Sequence, residues 1–582
     1  MKPELLAVRA INQYRRRDVL AYLGLRYYLD NDCAKNDIWA RDISTHLVKT
    51  RESPVYFRSY HFKEMAEGDI NVVHRNIYLP GPNEILAESA LLYDCSAEPA
   101  FQSSQCVYSY RFSELSSKQG IFQNYFPGFQ ERNNSIAKVC NSLNSTDAIV
   151  RYTDIKKFYP TISHELALQA WKSTCESSNI SATSRELGER LLTQHAETAK
   201  EHKEGLGILT GPMFSHLIAN LILANVDKLM FKNMGGKYWR YVDDFVLIGS
   251  VGQVESSRKL LNTILSDMGF KLHDERKDFE VKLNEWLEES NSLEYSMTNR
   301  WTTLIANIKR FLIANPEQKV NLEQAFSQVE VNISLLDYSN AVVESSYRQK
   351  FSDWFVRYSW FPNSIRVLTI DKLVRDAVQA RNIYYQHIKN ILNGNNNFEG
   401  YKRKQLISKL RFYARRLSYL ATSDTLSSLS STLSIYPELS LQARVMSAIH
   451  SRDVSLLVKY GTDAVQAAAQ ILRIKPNAVT CSLHSFGEVE LQGLAILRLN
   501  GIEIKFRGDV NSQTIIDPLN QFALNINSAE LMKSNNLFIK EIACLRGVES
   551  LSRHKYMLDN AFDRDEQLSL DIIDQLQAYS YF

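Results

Sequence analysis

Between residues 148 and 279, short strand-like patterns alternate with helical ones. The apolar run from Ala148 to Thr153 ends at Asp154, and this pattern predicts a buried strand. Ser163 is of the type that caps helices, so a helix is predicted to begin near His164. The predicted order is strand, helix, helix, hairpin and helix, which is typical of an α/β or α+β catalytic domain. The later helices cover Met213 to Met230 and the periodic residues Leu260, Leu261, Ile264, Leu265 and Met268, which precede Gly269.

Two adjacent carboxylates, Asp243 and Asp244, lie at the tip of the predicted hairpin. An aromatic-rich run precedes them from Tyr238 to Tyr241, and an apolar run follows from Phe245 to Ile248. Asp is a favoured turn residue, so an ordinary turn is one interpretation of the pair. A carboxylate pair that binds a catalytic metal ion is the other.

The rest of the chain has different patterns. The first 70 residues are predicted to be helical, and short β-like pieces follow at Asn76–Leu79 and Val107–Tyr110. Beyond residue 290, long amphipathic stretches predict a mainly helical region. Two segments in it, Asn393–Asn397 and the Ser/Thr-rich Thr422–Ser434, have loop compositions. A third, Val489–Phe506, mixes apolar residues with Gly and is interpreted as a small β excursion.

Composition sets limits on these predictions. A chain of 582 residues with 45% hydrophobic residues can fill two or three cores. The net charge of +3 and the pI near 8.2 are too mild to indicate a nucleic-acid partner by themselves. Seven scattered cysteines without zinc spacing are typical of a reducing cytosol. Since neither a signal peptide nor a run of about 18 apolar residues occurs, we expect a cytoplasmic protein without a membrane partner.

A third carboxylate can complete a metal site at the hairpin. By itself, Asp154 fits the role of a turn or helix-leading residue. If its strand neighbours the hairpin, however, Asp154 joins Asp243 and Asp244 in a site for two Mg²⁺ ions, which need hard oxygen ligands. Two such ions activate an attacking 3′ hydroxyl and stabilise the leaving pyrophosphate.

In order and spacing, these segments resemble the motifs of reverse transcriptases. Asp154 with Phe158-Tyr159 is similar to motif A, and Tyr241-Val242-Asp243-Asp244 is similar to motif C. The segment from Gly207 to Gly211, continued through Ser215 and Asn220, is similar to motif B. The resemblance implies an α+β fold with right-hand fingers and palm, and the activity of an RNA-directed DNA polymerase.

The resemblance also implies roles for individual residues. Asp154, Asp243 and Asp244 would be catalytic, and the metal set would be these three with Ile155, binding Mg²⁺ or alternatively Mn²⁺. Tyr159 stands where an aromatic ring blocks a ribose 2′ hydroxyl, which favours dNTPs; a core tyrosine is the alternative. Arg111 is the candidate triphosphate contact, because a guanidinium can grip phosphate oxygens, and a surface arginine is its alternative. The remaining substrate-binding candidates are Phe158, Gly211 and Ser215.

Two motifs depart from the family pattern. Template-copying reverse transcriptases commonly have Pro-Gln before the second Gly of motif B, whereas this chain has Leu209-Thr210. Faithful copying of a template is therefore in question. Motif D corresponds to Gly269–Lys277, and its register leaves either Arg276 or Lys277 as the basic residue that stabilises pyrophosphate. We assign that catalytic role to Lys277.

A basic segment lies in the helical half of the chain. Residues 401–420 contain seven basic residues and no acidic one, interleaved with Tyr401, Phe412, Tyr413 and Tyr419. Cations neutralise phosphates and aromatic faces stack bases, so this predicted helix could bind a single strand. A solvated basic helix face is the alternative. The nucleic-acid candidates are Lys402, Arg403, Arg411, Arg415 and Arg416.

The long helical tail resembles that of the bacterial abortive-infection and defense-associated (AbiK-like) reverse transcriptases. This resemblance implies an N-terminal helical extension (1–70), fingers and palm (71–290) and a HEAT-like helical domain (291–582). It further implies antiviral defense, dNTP substrates, a single-stranded DNA product and a homo-oligomer, with an RNA template or noncoding RNA as further partner. Synthesis would need no template and would start on a protein hydroxyl. The alternatives are a conventional RNA-templated retroelement enzyme and a non-catalytic nucleic-acid-binding scaffold.

Overall fold

The chain forms two compact units, which we describe from a computed structural model. The first unit comprises Met1–Arg58, Asn76–Leu293 and Glu399–Tyr401, and the second comprises Ser59–Arg75, Glu294–Phe398 and Lys402–Phe582. The predicted N-terminal extension is thus divided between both units, and the three-domain division stays a prediction. The structure describes residues 3–15, 18–30, 54–66, 71–115, 120–123, 125–143, 147–273, 278–292, 294–335, 368–394, 400–474, 478–507, 533–547 and 558.

The first unit combines helices with a four-stranded sheet. Strands β1 and β2 pair with each other, and their residues are divided between the two units. The elements are α1 (Pro3–Arg15), α2 (Val19–Asp30), β1 (Tyr56–Met65), β2 (Val72–Pro80), α3 (Pro82–Ser96), α4 (Tyr125–Ser142), β3 (Ala148–Asp154), α5 (Phe158–Thr161), α6 (His164–Glu176), α7 (Ala182–Glu201), α8 (Met213–Asn233), β4 (Tyr238–Tyr241), β5 (Asp244–Ser250), α9 (Val251–Asp267), β6 (Phe279–Lys282) and α10 (Leu283–Ser292).

The main sheet has the order β4-β5-β3-β6, and every neighbouring pair is antiparallel. Successive side chains of a strand point to opposite faces. On β4, Trp239 donates to Ser135 of α4, whereas Tyr238 donates to Asp227 of α8. The sheet therefore lies between α4 on one face and α8 on the other. An apolar core that includes Val150, Trp239, Val246, Ile248 and Trp286 fills the α4 side.

The second unit is mainly helical. One large apolar core runs from Trp301 of α11 to Met446 of α16. The elements are α11 (Glu294–Ala314), α12 (Lys319–Gln328), α13 (Ile370–Asn393), α14 (Gly400–Leu420), α15 (Ser423–Leu433), α16 (Ser440–Ser451), α17 (Thr462–Leu472), β7 (Val479–Cys481), α18 (Glu488–Leu499), β8 (Ile504–Phe506) and α19 (Leu537–Gly547). Short 3₁₀ helices occur at Pro99–Phe101, Pro316–Gln318, Pro437–Leu439 and Leu457–Tyr460.

Most of the predicted elements near the hairpin are confirmed. The strand at Ala148–Asp154, the hairpin strands and the helix that begins at His164 are all present. Ser163 caps that helix by accepting from the Leu166 amide at 3.1 Å. Gly269 ends the helix before it with a φ of 85°, as its position after the periodic residues predicted.

Three predictions of local structure are wrong. Within the first 70 residues, which were predicted to be helical, Tyr56–Met65 form strand β1. Four of its first seven residues are aromatic, and aromatic residues favour strands. The Ser/Thr-rich stretch is helix α15, since Leu426, Leu429 and Leu433 are buried at helical spacing. Val489–Leu499 is also helical, and only Ile504–Phe506 is a strand.

Among the described residues, no helix has both the length and the apolar character that crossing a membrane requires. The five cysteines whose side chains the structure describes are free and buried. Burial raises the pKa of the Cys106 and Cys175 thiols to about 12, so both thiols are protonated at neutral pH.

Candidate metal and nucleotide site

Three aspartates meet at one end of the main sheet. Asp154 is the last residue of β3 and lies directly opposite Asp244, the first residue of β5. Asp243 precedes Asp244 in the turn between β4 and β5. One carboxylate oxygen from each of the three lies within 4.8 Å of the others. Asp154 is only 4% exposed, and the other two are half-buried.

This cluster has the donor set of a hard-cation site. Like charges at this separation repel one another, and a bound cation or protons must offset the repulsion. Three carboxylates suit Mg²⁺ or Mn²⁺, whereas Zn²⁺ sites usually include His or Cys. No His or Cys belongs to the cluster among the residues that the structure describes. The three predicted ligands therefore come together and can bind a metal ion.

The turn that carries Asp243 is held in an uncommon conformation. Val242 has a φ of 57°, in the left-handed region that β-branched residues rarely adopt. Two hydrogen bonds fix its peptide groups: its amide donates to Ser109 Oγ at 2.7 Å, and its carbonyl accepts from Arg240 at 2.8 Å. Surroundings that over-determine a strained residue are common at functional sites.

Arg240 is the centre of the network that holds this turn. It forms a bidentate pair with Asp227 of α8 at 2.8 and 2.7 Å, and both side chains are 1% exposed. It also donates to the Asn220 side-chain oxygen at 3.0 Å. Burial alone would lower the pKa of Arg240, but the Asp227 carboxylate outweighs it and raises that pKa above the usual value. The guanidinium therefore stays charged and links α8 to the hairpin.

A tyrosine and an arginine lie on the α4 side of the cluster. Burial raises the pKa of the Tyr152 phenol well above its usual value, and a hydrogen bond to Asp244 adds to the effect. Arg132 is buried, and its guanidinium lies 4.7 Å from the Phe129 ring and 5.4 Å from the Tyr241 ring. Its charge acts on Tyr152 in the opposite direction and lowers the pKa. A buried cation thus lies near the aspartates on this side.

Phe158 and Tyr159 form the short helix α5 just after β3. The chain turns at Lys157, which has a φ of 53°. Phe158 is buried against Phe270, with ring centroids 5.4 Å apart. Tyr159 is half-buried, and its hydroxyl lies 2.5 Å from Nδ1 of His216 in α8. The predicted contact of Tyr159 with a nucleotide ribose stays a prediction.

The motif B candidates lie beside β2 and at the start of α8. Gly211 has a φ of 131°, and a Cβ atom there would lie 2.3 Å from the Tyr78 carbonyl oxygen. The Tyr78 amide also donates to the Thr210 carbonyl at 2.8 Å. Glycine is thus required here by the close approach of β2. Ser215 is buried, and within the described part of the chain its hydroxyl has no hydrogen-bond partner. Contacts of Gly211 and Ser215 with substrate stay predictions.

The structure describes the surroundings of two further candidate residues, Ile155 and Arg111, but not those of Lys277. The Ile155 amide donates to the Asp243 carbonyl at 3.1 Å, which ties the end of β3 to the turn. Arg111 donates to the Val107 and Gln105 carbonyls and to Glu131, so its guanidinium is already engaged locally. Its triphosphate role stays a prediction. Lys277 lies outside the described residues.

The basic segment is helical, as predicted, but its cations differ in their surroundings. Arg403 forms a bidentate pair with Glu438 at 2.7 and 3.0 Å. Arg411 donates to the carbonyl oxygen of the same residue. Lys402 and Arg415 are exposed to solvent. Binding of a nucleic acid by these residues stays a prediction.

The aromatic residues of the basic segment mostly serve packing. Tyr413 is 2% exposed and belongs to the core of the second unit, so its predicted role in base stacking is wrong. Phe412 and Tyr419 pack against the same core. Tyr401 stacks on Trp286 with centroids 5.3 Å apart, and the Arg416 guanidinium lies 3.8 Å from the Phe412 ring centroid.

Local sequence patterns did not indicate the residues that support the site. Arg240 and Asp227 are charged, and an isolated charged residue in a sequence is usually expected at the surface. Strand alternation could have indicated that Arg240 is buried. Residues two apart on a strand share a sheet face, and Tyr238, two residues before Arg240, is fully buried. His216 was missed because nothing in its local pattern indicates a hydrogen bond to Tyr159.

Comparisons with known proteins give little further information. No protein-family model matches the chain, and no curated protein matches it either. Among solved structures, the chain is similar to telomerase from Candida albicans, determined in complex with a fragment of telomeric RNA. The identity is 10%, the TM-score is 0.27 and the alignment covers 70% of each chain. A likeness at this level carries no argument about the fold or function of this protein.

Proposed function

We propose that this protein is a DNA polymerase of the reverse-transcriptase type that adds dNTPs by two-metal nucleotidyl transfer. The observation that supports the proposal is the cluster of Asp154, Asp243 and Asp244, with carboxylate oxygens within 4.8 Å of one another. These residues lie at the ends of paired strands within a hydrogen-bonded frame. A rigid group of carboxylates at a strand end is suited to metal-assisted phosphoryl transfer.

The proposed chemistry assigns a task to each group. Mg²⁺ held by Asp154 and Asp243, with Asp244 and the Ile155 main chain beside them, would supply Lewis-acid activation of the attacking hydroxyl and of the leaving pyrophosphate. Tyr159 would contact the sugar. Arg111 and Lys277 would contact the phosphates.

The frame around Arg240 would keep the carboxylates in place before substrate arrives. A site whose charged groups need no reorganisation during the reaction stabilises the transition state most effectively. Arg240 and Ser109 fix the Val242 peptide groups, so the turn is already set in the free protein.

The motif B segment supports the finer proposal that template use is loose or absent. Leu209 is buried with Tyr56 and Tyr78, and Thr210 hydrogen bonds to β2 through its main chain. This pair stands where template-copying relatives have Pro-Gln, and packing accounts for Leu209. We further propose that synthesis starts on a protein hydroxyl, because a phenol near the metal site can replace a 3′ hydroxyl.

The biological part of the proposal comes from the motifs and the helical tail alone. The protein would act in antiphage defense in the bacterial cytoplasm, and single-stranded DNA would be its product. A noncoding RNA and further copies of the chain are its proposed partners.

A template-free assay tests the proposal. The purified protein is incubated with Mg²⁺ and each labelled dNTP, then digested with nuclease and separated by denaturing electrophoresis. We expect incorporation without template, its loss when EDTA removes the metal, and label that remains on the protein. Strict dependence on added RNA would favour the conventional reverse transcriptase, and no incorporation with or without RNA would contradict polymerase activity.

A further inference from the structure

The His216 ring contacts the rings of Tyr110 and Tyr159, and the three residues come from three segments of the first unit. His216 lies flat on Tyr110, with ring centroids 3.8 Å apart and an interplanar angle of 4°. The Tyr159 ring meets His216 edge-on at 5.3 Å and 86°. The Tyr159 hydroxyl and His216 Nδ1 are 2.5 Å apart, within hydrogen-bond distance. His216 is thus held by its face and by its ring nitrogen at once.

Each ring comes from a segment that is itself fixed. His216 lies in the first turn of α8 and is 3% exposed. Tyr110 has a φ of 49°, an uncommon value for a residue with a side chain. The neighbouring Ser109 carbonyl accepts from Asn220 at 3.3 Å, and the Tyr108 amide donates to the Arg240 carbonyl at 3.0 Å. The Tyr110 ring is therefore a stable surface for His216.

Tyr159 depends on this arrangement for its orientation. It belongs to a single helical turn of four residues, Phe158–Thr161, which is too short to be rigid by itself. Its neighbour Phe158 is buried and anchors one side of that turn. Tyr159 is only half-buried, so part of the residue remains accessible to solvent. The contact with His216 restricts rotation of its ring.

We propose that His216 is a positioning residue that fixes Tyr159 and thereby sets the discrimination between deoxyribonucleotides and ribonucleotides. The inference rests on the proposed function, in which the Tyr159 ring excludes a ribose 2′ hydroxyl. Steric exclusion of one oxygen atom requires a ring that does not move aside, and small displacements of positioning groups have large kinetic effects. Loss of one hydrogen bond corresponds to about a tenfold change in such an equilibrium.

Two conservative substitutions remove the same hydrogen bond from its two ends. His216→Phe keeps a ring that can stack on Tyr110, and Tyr159→Phe removes only the hydroxyl. The matched control is His387→Phe in the second unit, where His387 stacks on Tyr413 at 5.4 Å and 13°. For each protein, kcat and KM are measured with a dNTP and with the matching rNTP, and thermal unfolding is recorded.

We expect both variants to raise the ratio of kcat/KM for rNTP over dNTP by about tenfold. The double variant should show no further increase, because the same bond is lost in each single variant. His387→Phe should keep the wild-type ratio.

The contrary outcomes can be told apart. A structural role for His216 would lower both kcat/KM values in parallel, and an unchanged ratio in folded His216→Phe or in Tyr159→Phe would overturn the inference alone. If the wild-type protein incorporates neither nucleotide, the proposed function fails and the inference fails with it.

Discussion

At the scale of single residues, the geometry of the aspartate cluster depends on side chains outside the cluster. Val242 keeps its left-handed conformation because Ser109 and Arg240 hold its peptide groups. Arg240 can do so only because Asp227 neutralises it in a buried environment. Removing one partner of a buried ion pair leaves an uncompensated charge, which is more costly than losing the pair as a whole.

Arg240→Met tests this frame. We expect the free energy of unfolding to fall by about 3–5 kcal/mol, because Asp227 then remains buried without its cation. Restoring neutrality with Asp227→Asn in the same chain should recover part of the loss. Urea unfolding of the full chain measures each value. Lys172→Met is the control, since its pair with Glu189 is exposed and should contribute below about 1 kcal/mol. A similar small loss in Arg240→Met would contradict the account.

Glu88 is a second buried charged residue, and it should make the stability of the protein depend on pH. Burial raises its pKa from 4.5 to about 7, although the Phe214 amide, Tyr56 and the Met213 amide donate hydrogen bonds to it. The folded protein therefore binds a proton at Glu88 between about pH 4.5 and 7 that the unfolded chain has released. The contribution of Glu88 to the free energy of unfolding is therefore fully present below about pH 4.5 and is lost as the pH rises through about 7.

Glu88→Gln should remove this dependence. The substitution keeps the size of the side chain and an oxygen acceptor for the helix amides. Above pH 7 the variant should be more stable than the wild type by an amount on the order of 3 kcal/mol, and near pH 4.5 the two should converge. Urea unfolding at a series of pH values gives the difference curve. A difference that stays constant with pH would rule out titration of Glu88.

At the scale of elements, helix packing in the first unit depends on a close approach at Gly188 of α7. A Cβ atom there would lie 2.3 Å from ring atoms of Trp171 in α6. Trp171 is fully buried and donates to the Arg185 carbonyl at 3.1 Å, so it has little freedom to move.

Gly188→Ala should destabilise the protein by about 1–3 kcal/mol, because the interface is overpacked. Gly252→Ala in α9 is the matched control, since a Cβ atom there meets nothing within 4 Å. The control should gain up to about 1 kcal/mol from the helix preference of alanine. Thermal unfolding of both variants provides the comparison, and equal shifts would contradict the packing argument.

The elements also explain how far the sequence could predict this fold. Apolar and aromatic runs identified β3 and the hairpin, and a capping serine identified the start of α6, because those signals are local. The many serines of α15 predicted a loop, but its three buried leucines stabilise a helix. Gly493 favoured the prediction of a strand, whereas in the structure it allows helix α18 to pack closely against Val465. The three aspartates were identified from their spacing. The contacts of Arg240 and His216 are long-range, so no local pattern contained them.

At the scale of the whole molecule, the chain has one unit with the aspartate cluster and one mainly helical unit. The cluster lies within the first unit and is assembled by strands of a single sheet. The chemistry proposed here can therefore be tested on the full chain without knowledge of a partner or of the role of the helical unit.

The most direct test compares dNTP incorporation by the wild-type protein and by Asp243→Asn in the presence of Mg²⁺. Asp267→Asn, at an exposed carboxylate on α9, serves as the control. We predict that Asp243→Asn lowers the rate by at least about a hundred- to a thousandfold while thermal unfolding and the control remain like the wild type. Equal incorporation by folded Asp243→Asn and wild type would contradict the assignment of the aspartate cluster as the catalytic centre.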